Sequence, residues 1–172
     1  MALVFPFENT ITMKPEETID FHIRWAWTKI SKAYNSEASK NGGTMAIGYV
    51  LLNIDKEGTP STRLGPKMGM EPTSLSRLLK NMEEMKLIKR QADKLDKRVV
   101  KIMLTSRGAE MREISKDAVI AFNQTIRNVV DPKKLNVFFD VMKQINTLLE
   151  TNPFESNHTT KNHKLGSNEK KN

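Results

Sequence analysis

The sequence contains no cysteine among its 172 residues. This absence excludes disulfide bonds, zinc sites with thiolate ligands and cysteine-based redox sensing, and it favours a reducing compartment. Only three histidines are present, and no pair of them has metal-ligand spacing on a helix. We therefore expect no metal and no other cofactor. Nor does the sequence contain a Gly-x-Ser-x-Gly elbow, a phosphate-binding glycine loop or a paired-carboxylate motif, so we do not expect an enzyme.

Long hydrophobic runs are also lacking. The apolar N-terminal segment is brief, has no basic region before it and ends at the charged residue Glu8, unlike a signal peptide. No apolar run approaches the roughly 20 residues that a transmembrane helix needs. With 38% hydrophobic residues, the chain nevertheless has enough apolar side chains for a compact core. These features predict a soluble, cytoplasmic protein.

The positive charge is concentrated in one quarter of the chain. The formal net charge is +8, and residues 61–101 contain eleven lysines and arginines against five acidic residues. The remaining residues contribute only +2. A basic patch of this kind attracts polyanions, because lysine and arginine neutralise phosphates and release condensed counterions. By itself such a patch is also compatible with an ordinary solvated surface.

The spacing of apolar residues predicts six helices and two strands. A proline or a capping residue introduces most of the helices, as at Thr44, Pro72, Thr105 and Asp131-Pro132. The predicted helices cover about 15–40, 44–54, 61–68, 72–85, 105–130 and 131–151. The predicted strands are 87–90 and 99–104, with a polar loop at 91–98, and 58–60 is expected to be a turn.

The third and fourth helices are separated by a short turn at Gly69, and a basic hairpin follows them. The predicted fold is therefore mainly α-helical with a small β-hairpin wing, a winged helix-turn-helix. Long N- and C-terminal helices are expected to form a dimerisation platform, because the apolar stripe from Leu135 to Leu149 is wider than one small domain needs. The predicted domains are an arm and dimerisation helix at 1–44, the winged helix-turn-helix at 45–104, dimerisation helices at 105–152 and a disordered polar tail at 153–172.

The outward face of the fourth helix is polar and basic. Such a face suits the major groove of B-form DNA, where small polar side chains allow close approach and Arg77 is able to contact a guanine or a phosphate. Hairpin residues such as Arg98 are placed to reach an adjacent minor groove, and Asp96 is placed to hold its guanidinium. The predicted DNA-binding residues are Thr62, Arg63, Thr73, Ser74, Ser76, Arg77, Lys80, Lys94, Asp96, Lys97 and Arg98.

The same segment resembles the MarR family of bacterial regulators. The resemblance lies in Leu64-Gly65-Pro66-Lys67-Met68-Gly69-Met70, Thr73-Ser74-Leu75-Ser76-Arg77-Leu78-Leu79, Glu83-Glu84-Met85-Lys86-Leu87-Ile88, Asp96-Lys97-Arg98 and Leu104-Thr105-Ser106-Arg107-Gly108. It implies a homodimer that binds palindromic DNA operators as a transcription regulator, most commonly a repressor. It also implies that Arg98 enters the minor groove with Asp96 as its partner.

Two positions depart from the family pattern. Glu71 stands where the family usually has a serine or threonine that caps the recognition helix, and Gly65-Pro66 stand where helix formers are common. We therefore expect a weakly capped fourth helix and a short or bent third helix. Neither departure removes a predicted DNA contact.

The first helix is unusually rich in aromatic residues for a chain that is only 6% aromatic. Packing in the dimer interface explains such residues most simply. The resemblance also implies a pocket for a small-molecule effector in many relatives, and His22, Trp25 and Tyr34 are the candidate ligand-binding residues. A different function remains open as well, since a winged helix is also able to dock an acidic protein partner.

Overall fold

The computed structural model describes residues 3–4, 12–93 and 96–151. Its strands are β1 (Leu3–Val4), β2 (Thr12–Met13), β3 (Thr59–Pro60), β4 (Ile88–Ala92) and β5 (Val100–Leu104). Its helices are α1 (Ile19–Ser39), α2 (Met45–Asn53), α3 (Ser61–Met68), α4 (Pro72–Glu84), α5 (Ser106–Val129) and α6 (Pro132–Leu149). The chain divides into two compact units at residue 121, within α5. Within the described ranges, no helix is long and apolar enough to cross a membrane.

The mainly helical fold with a small antiparallel sheet confirms the predicted winged helix-turn-helix. The capping residues act as their sequence positions indicated. The Thr44 hydroxyl accepts from the Ile47 amide at 3.3 Å, and the Thr105 hydroxyl accepts from the Gly108 amide at 3.0 Å. Each satisfies a backbone donor that the first helical turn leaves without a partner.

The first helix begins later than predicted. Pro15–Glu17 forms a single 3-10 turn, and the extended backbone at Thr18, with φ of −88° and ψ of 144°, separates it from α1. The Thr18 hydroxyl donates to the Pro15 carbonyl oxygen at 2.7 Å, which fixes this interruption. A side chain that bonds to the local backbone here competes with helix formation.

The helix-turn-helix contains a left-handed residue where the sequence predicted one. Gly69 follows α3 with φ of 61°, and the Met70 amide donates to the Gly65 carbonyl oxygen at 3.0 Å. A Cβ atom at position 65 would lie only 3.2 Å from the Met70 carbonyl oxygen. The unusual glycine inside α3 is therefore explained by the close approach of the chain after the turn.

The wing is a three-stranded antiparallel sheet in the order β3-β5-β4. The prediction that Thr59 and Pro60 belong to a turn is wrong, because they pair with Ile102 and Lys101 of β5. The hairpin strands also differ from the prediction, since β4 begins at Ile88 and continues through Gln91 and Ala92, and β5 begins at Val100. A two-residue edge strand is too short for its periodicity to be visible, and proline is tolerated there because one edge faces no partner.

The core of the first unit lies between α2, α3, α4 and the sheet. Its buried apolar side chains are Ile47, Val50, Leu51, Ile54, Leu64, Leu75, Leu79, Met82, Leu87, Ile88 and Ile102. Gly108 lets the start of α5 pass directly against the backbone of Leu87, because an added Cβ would lie 1.9 Å from the Leu87 carbonyl oxygen. The core thus holds α4 and the wing together.

The second unit consists of the end of α5 and of α6, with no fully buried side chain among its described residues. Asp131 caps α6 by accepting from the amides of Lys133 and Lys134, at 2.8 and 3.2 Å. The exposed large apolar side chains of α6 are Val137, Phe138, Phe139, Val141, Leu148 and Leu149. In α5, Ile114 and Ile126 are 43% and 39% exposed in the single chain. The predicted tail at 153–172 lies outside the described residues.

Candidate nucleic-acid interface

The outward face of α4 carries a cluster of small polar and basic side chains. Leu75, Leu79 and Met82 anchor the opposite face in the core. The predicted DNA-binding residues of this helix are all exposed: Thr73, Ser74, Ser76, Arg77 and Lys80. Lys80 makes a long ion pair, with its Nζ atom 4.0 Å from Oε1 of Glu84. The amphipathic spacing of α4 therefore presents these groups together on one face.

The preceding helix adds two exposed residues beside this face. Thr62 and Arg63 lie in the first turn of α3, while Leu64 turns inward and is fully buried. Glu71 is the N-cap residue of α4, but its exposed side chain accepts no hydrogen bond from the first turn of the helix. The start of α4 is therefore weakly capped, as the sequence predicts, and the Glu71 carboxylate lies at the edge of the polar face.

The wing presents a preorganised arginine. The guanidinium of Arg98 donates from Nε to Oδ1 of Asp96 at 3.1 Å and from a terminal nitrogen to Oδ2 at 3.2 Å. The Arg98 amide donates to the same carboxylate at 3.0 Å. These bonds hold the pKa of the Asp96 carboxyl below its usual range. The Arg98 side chain nevertheless remains 91% exposed, so it is oriented and still accessible.

The base of the wing loop is closed by further contacts. The Asp93 amide donates to the Val99 carbonyl oxygen at 2.8 Å, and the Asp96 amide donates to Oδ1 of Asp93 at 3.1 Å. Asp93 also pairs with Lys101 of β5. Lys97 is exposed at the turn, whereas Lys94 lies outside the described residues. The network around Asp93 was not predicted, because its partners become apparent only once the hairpin register is known.

An ion pair joins α4 to the wing. Nε of Arg90 in β4 lies 3.1 Å from Oε2 of Glu83 at the end of α4. Both side chains are partly exposed. Sequence reasoning did not identify this pair, since the residues are seven positions apart and lie in different elements. It links two elements that carry predicted DNA contacts.

A cavity of about 570 Å³ lies between α1, α2 and α5, within the first unit. Tyr34 lines it, and partial burial raises the pKa of that phenol. His22 and Trp25 are not among the lining residues. The His22 Nε2 atom lies 2.6 Å from the Glu16 carbonyl oxygen. Of the three candidate ligand-binding residues, the structure therefore brings only Tyr34 to this cavity.

Trp25 lies on another face of α1. Its ring stacks on Phe21, with centroids 6.2 Å apart, and the Lys29 ammonium lies 5.7 Å from the ring centroid. Trp27, one of the aromatic residues of this helix but not one of the three candidate ligand-binding residues, lines the cavity instead. Helical spacing explains the difference, because residues seven apart, such as Trp27 and Tyr34, share a face while Trp25 does not.

Comparisons with known proteins agree with this geometry. The model of the MarR family matches residues 50–100, which include the helix-turn-helix and most of the wing. None of the curated proteins compared with the chain matches it significantly. The solved structure of a MepR–DNA complex from S. aureus is 19% identical with a TM-score of 0.70, and the match covers 76% of this chain and 97% of that one.

Two further solved structures come from Rhodococcus. CouR from Rhodococcus jostii RHA1, bound to p-coumaroyl-CoA, is 22% identical with a TM-score of 0.68, covering 77% of this chain and 94% of that one. A transcriptional regulator of the MarR family from Rhodococcus sp. RHA1 is 22% identical with a TM-score of 0.64, covering 74% and 92%. These matches confirm the resemblance to the MarR family that the sequence shows. Residues 50–100 match the model of that family, and the chain has the winged helix-turn-helix fold of solved MarR-family regulators.

Proposed function

We propose that this protein is a cytoplasmic transcription regulator that binds double-stranded DNA in a sequence-specific manner and acts as a repressor. The observation that carries the proposal is the pairing of two exposed elements on one core. The outer face of α4 offers Thr73, Ser76 and Arg77 to base edges, and the wing offers an Arg98 guanidinium held by Asp96. These groups suit a major groove and an adjacent minor groove, respectively.

The other predicted contacts have supporting roles. Ser74 and Lys80 flank the base-contacting residues on α4, and Thr62 and Arg63 lie beside them on α3. We assign Arg63, Lys80 and Lys97 to phosphates, because a cation on a flexible stem neutralises the backbone without reading a base. Lys94 is assigned with them on sequence grounds alone. This division predicts which substitutions change specificity and which change only overall affinity.

We further propose that the active form is a homodimer bound to a palindromic operator. The exposed apolar side chains of α6 support this proposal, because several large apolar side chains exposed along one helix are typical of a subunit interface. Two recognition helices would then enter successive major grooves about 34 Å apart. The cavity near Tyr34 supports release from DNA by a small-molecule effector, and the relative CouR was solved with p-coumaroyl-CoA bound.

The test is selection of bound fragments from the source genome, followed by titration of the enriched duplex. We expect a palindromic site, and an affinity that falls steeply with salt as counterions are released. No enrichment over random fragments would contradict the proposal. Binding to an acidic protein without any binding to DNA would instead support the interaction-module alternative.

A further inference from the structure

We propose that the cavity between α1, α2 and α5 binds small apolar molecules that carry no negative charge, and that Met70 transmits their binding to α4. The volume of about 570 Å³ is within the range of roughly 300–1,000 Å³ that small-molecule sites occupy. The ligand class follows from the lining alone. The transmission to α4 rests on the proposed DNA-binding function.

The lining of the cavity is largely apolar. Four of its residues are methionines, whose flexible thioether side chains adapt to ligands of irregular shape; they are Met45, Met68, Met70 and Met111. Among the described residues that line it, Glu37 alone carries a formal charge. Lys40 lies outside the lining and already pairs with Glu37. A carboxylate ligand would therefore lose its hydration without gaining a basic partner, which is unfavourable.

The ends of two helices strengthen this preference. The C-terminal turn of α1, which includes Glu37 and Ala38, borders the cavity with the negative end of its dipole. The N-terminus of α2 would favour an anion, but two of its amides are already bonded. Met45 donates to Oδ1 of Asn35 at 3.0 Å, and Ile47 donates to the Thr44 hydroxyl. Binding an anion there would require these bonds to break.

Met70 connects this cavity to the candidate nucleic-acid interface. A second cavity lies between α3 and the start of α4, lined by Ser61, Thr62, Gly65, Pro66, Gly69, Met70, Glu71, Pro72 and Leu75. Of the residues that the structure describes, Met70 alone lines both cavities. Its amide is bonded to the Gly65 carbonyl oxygen, and Glu71, the next residue, is the N-cap of α4. A ligand that displaces the Met70 side chain therefore acts directly before the recognition helix.

Calorimetric titration of the full chain, without DNA, tests the ligand class. Phenylbutanol, phenylbutylamine and phenylbutyrate have one skeleton and differ in charge. We expect the alcohol and the amine to bind and the carboxylate to bind at least about tenfold more weakly, because its charge is not compensated. Glu37→Gln should remove any advantage of the amine over the alcohol, whereas Glu110→Gln, outside the lining, should not.

Equal or tighter binding of phenylbutyrate would overturn the inference, as would failure of all three probes to bind at about 1 mM. The expected binding pattern would stand even if the protein bound no DNA, so the two proposals fail separately. A protein that binds operator DNA but prefers the carboxylate would refute only the ligand class.

The role of Met70 is tested by the ratio of DNA affinities with and without phenylbutylamine. We expect the amine to lower DNA affinity of the unchanged protein and Met70→Ala to abolish that effect while still binding the amine. Met70→Leu, which conserves volume, should restore it. Met45→Ala, which alters only the first cavity, should change amine affinity and keep the ratio. If phenylbutylamine lowers the DNA affinity of Met70→Ala as much as that of the unchanged protein, Met70 is not the positioning residue.

Discussion

At the scale of single residues, the interface depends on side chains that are exposed and yet oriented. Arg98 is the clearest case, because two hydrogen bonds from its guanidinium to Asp96 orient a side chain that remains 91% exposed. An arginine held in one geometry loses less conformational entropy when it binds than a free one. The carboxylate is therefore predicted to help binding even though its charge repels phosphates.

Asp96→Ala should weaken binding to the specific duplex by about three- to tenfold, although it raises the net charge by one, because Arg98 loses its brace. The measurement is a fluorescence titration at fixed salt. Glu84→Ala is the matched control, since it also removes an exposed acid from the same region. If Asp96→Ala binds as tightly as Glu84→Ala, Asp96 does not position Arg98.

The backbone of α5 approaches that of Leu87 closely at Gly108. Gly108→Ala should destabilise the protein by at least about 1–3 kcal/mol, because the new methyl group would lie against the Leu87 carbonyl oxygen and force the backbone apart. Urea unfolding measures the loss. Gly43→Ala is the control, because its added Cβ would meet no atom closer than 3.5 Å. Equal stability of the two variants would show that α5 does not start where the structure places it.

At the scale of elements, the sequence predicted all six helices and both strands of the hairpin, because strong periodicity and capping residues marked them. It did not predict β1, β2 or β3, which have two residues each, or the last two residues of β4, which are polar or small. The candidate site followed a similar division. The face of α4 was visible in helical spacing, whereas the cavity residues Met68 and Met70 become neighbours of Tyr34 only through tertiary packing.

The start of β3 is held by one buried hydroxyl, that of Thr59. Thr59 is 2% exposed, and its Oγ1 accepts from the Asp55 amide at 2.8 Å and donates to Oδ2 of Asp55 at 3.0 Å. Thr59→Val should cost about 1–3 kcal/mol of stability, because the Asp55 amide loses its partner. Thr59→Ser should retain most of that stability in the same urea unfolding experiment. Equal stability of the valine variant and the unchanged protein would contradict this role.

At the scale of the whole molecule, the proposed active form is a pair of identical chains. Phe138→Glu combined with Val141→Glu should convert the dimer into a monomer, because two charges would be buried in the apolar surface of α6. Light scattering at micromolar concentration measures this change. Asn136→Glu, an exposed polar position on the same helix, should remain dimeric. An unchanged protein that is already monomeric would refute the proposed use of α6.

The most direct test of DNA binding by α4 and the wing is a salt-controlled titration of the selected duplex with Arg77→Ala and Arg98→Ala. Each should lose about 1–3 kcal/mol of specific binding, since Arg77 is proposed to contact a base and Arg98 the minor groove. Lys133→Ala removes the same charge from α6 and should have little effect. If both arginine variants bind the duplex as tightly as Lys133→Ala, the proposed interface is wrong.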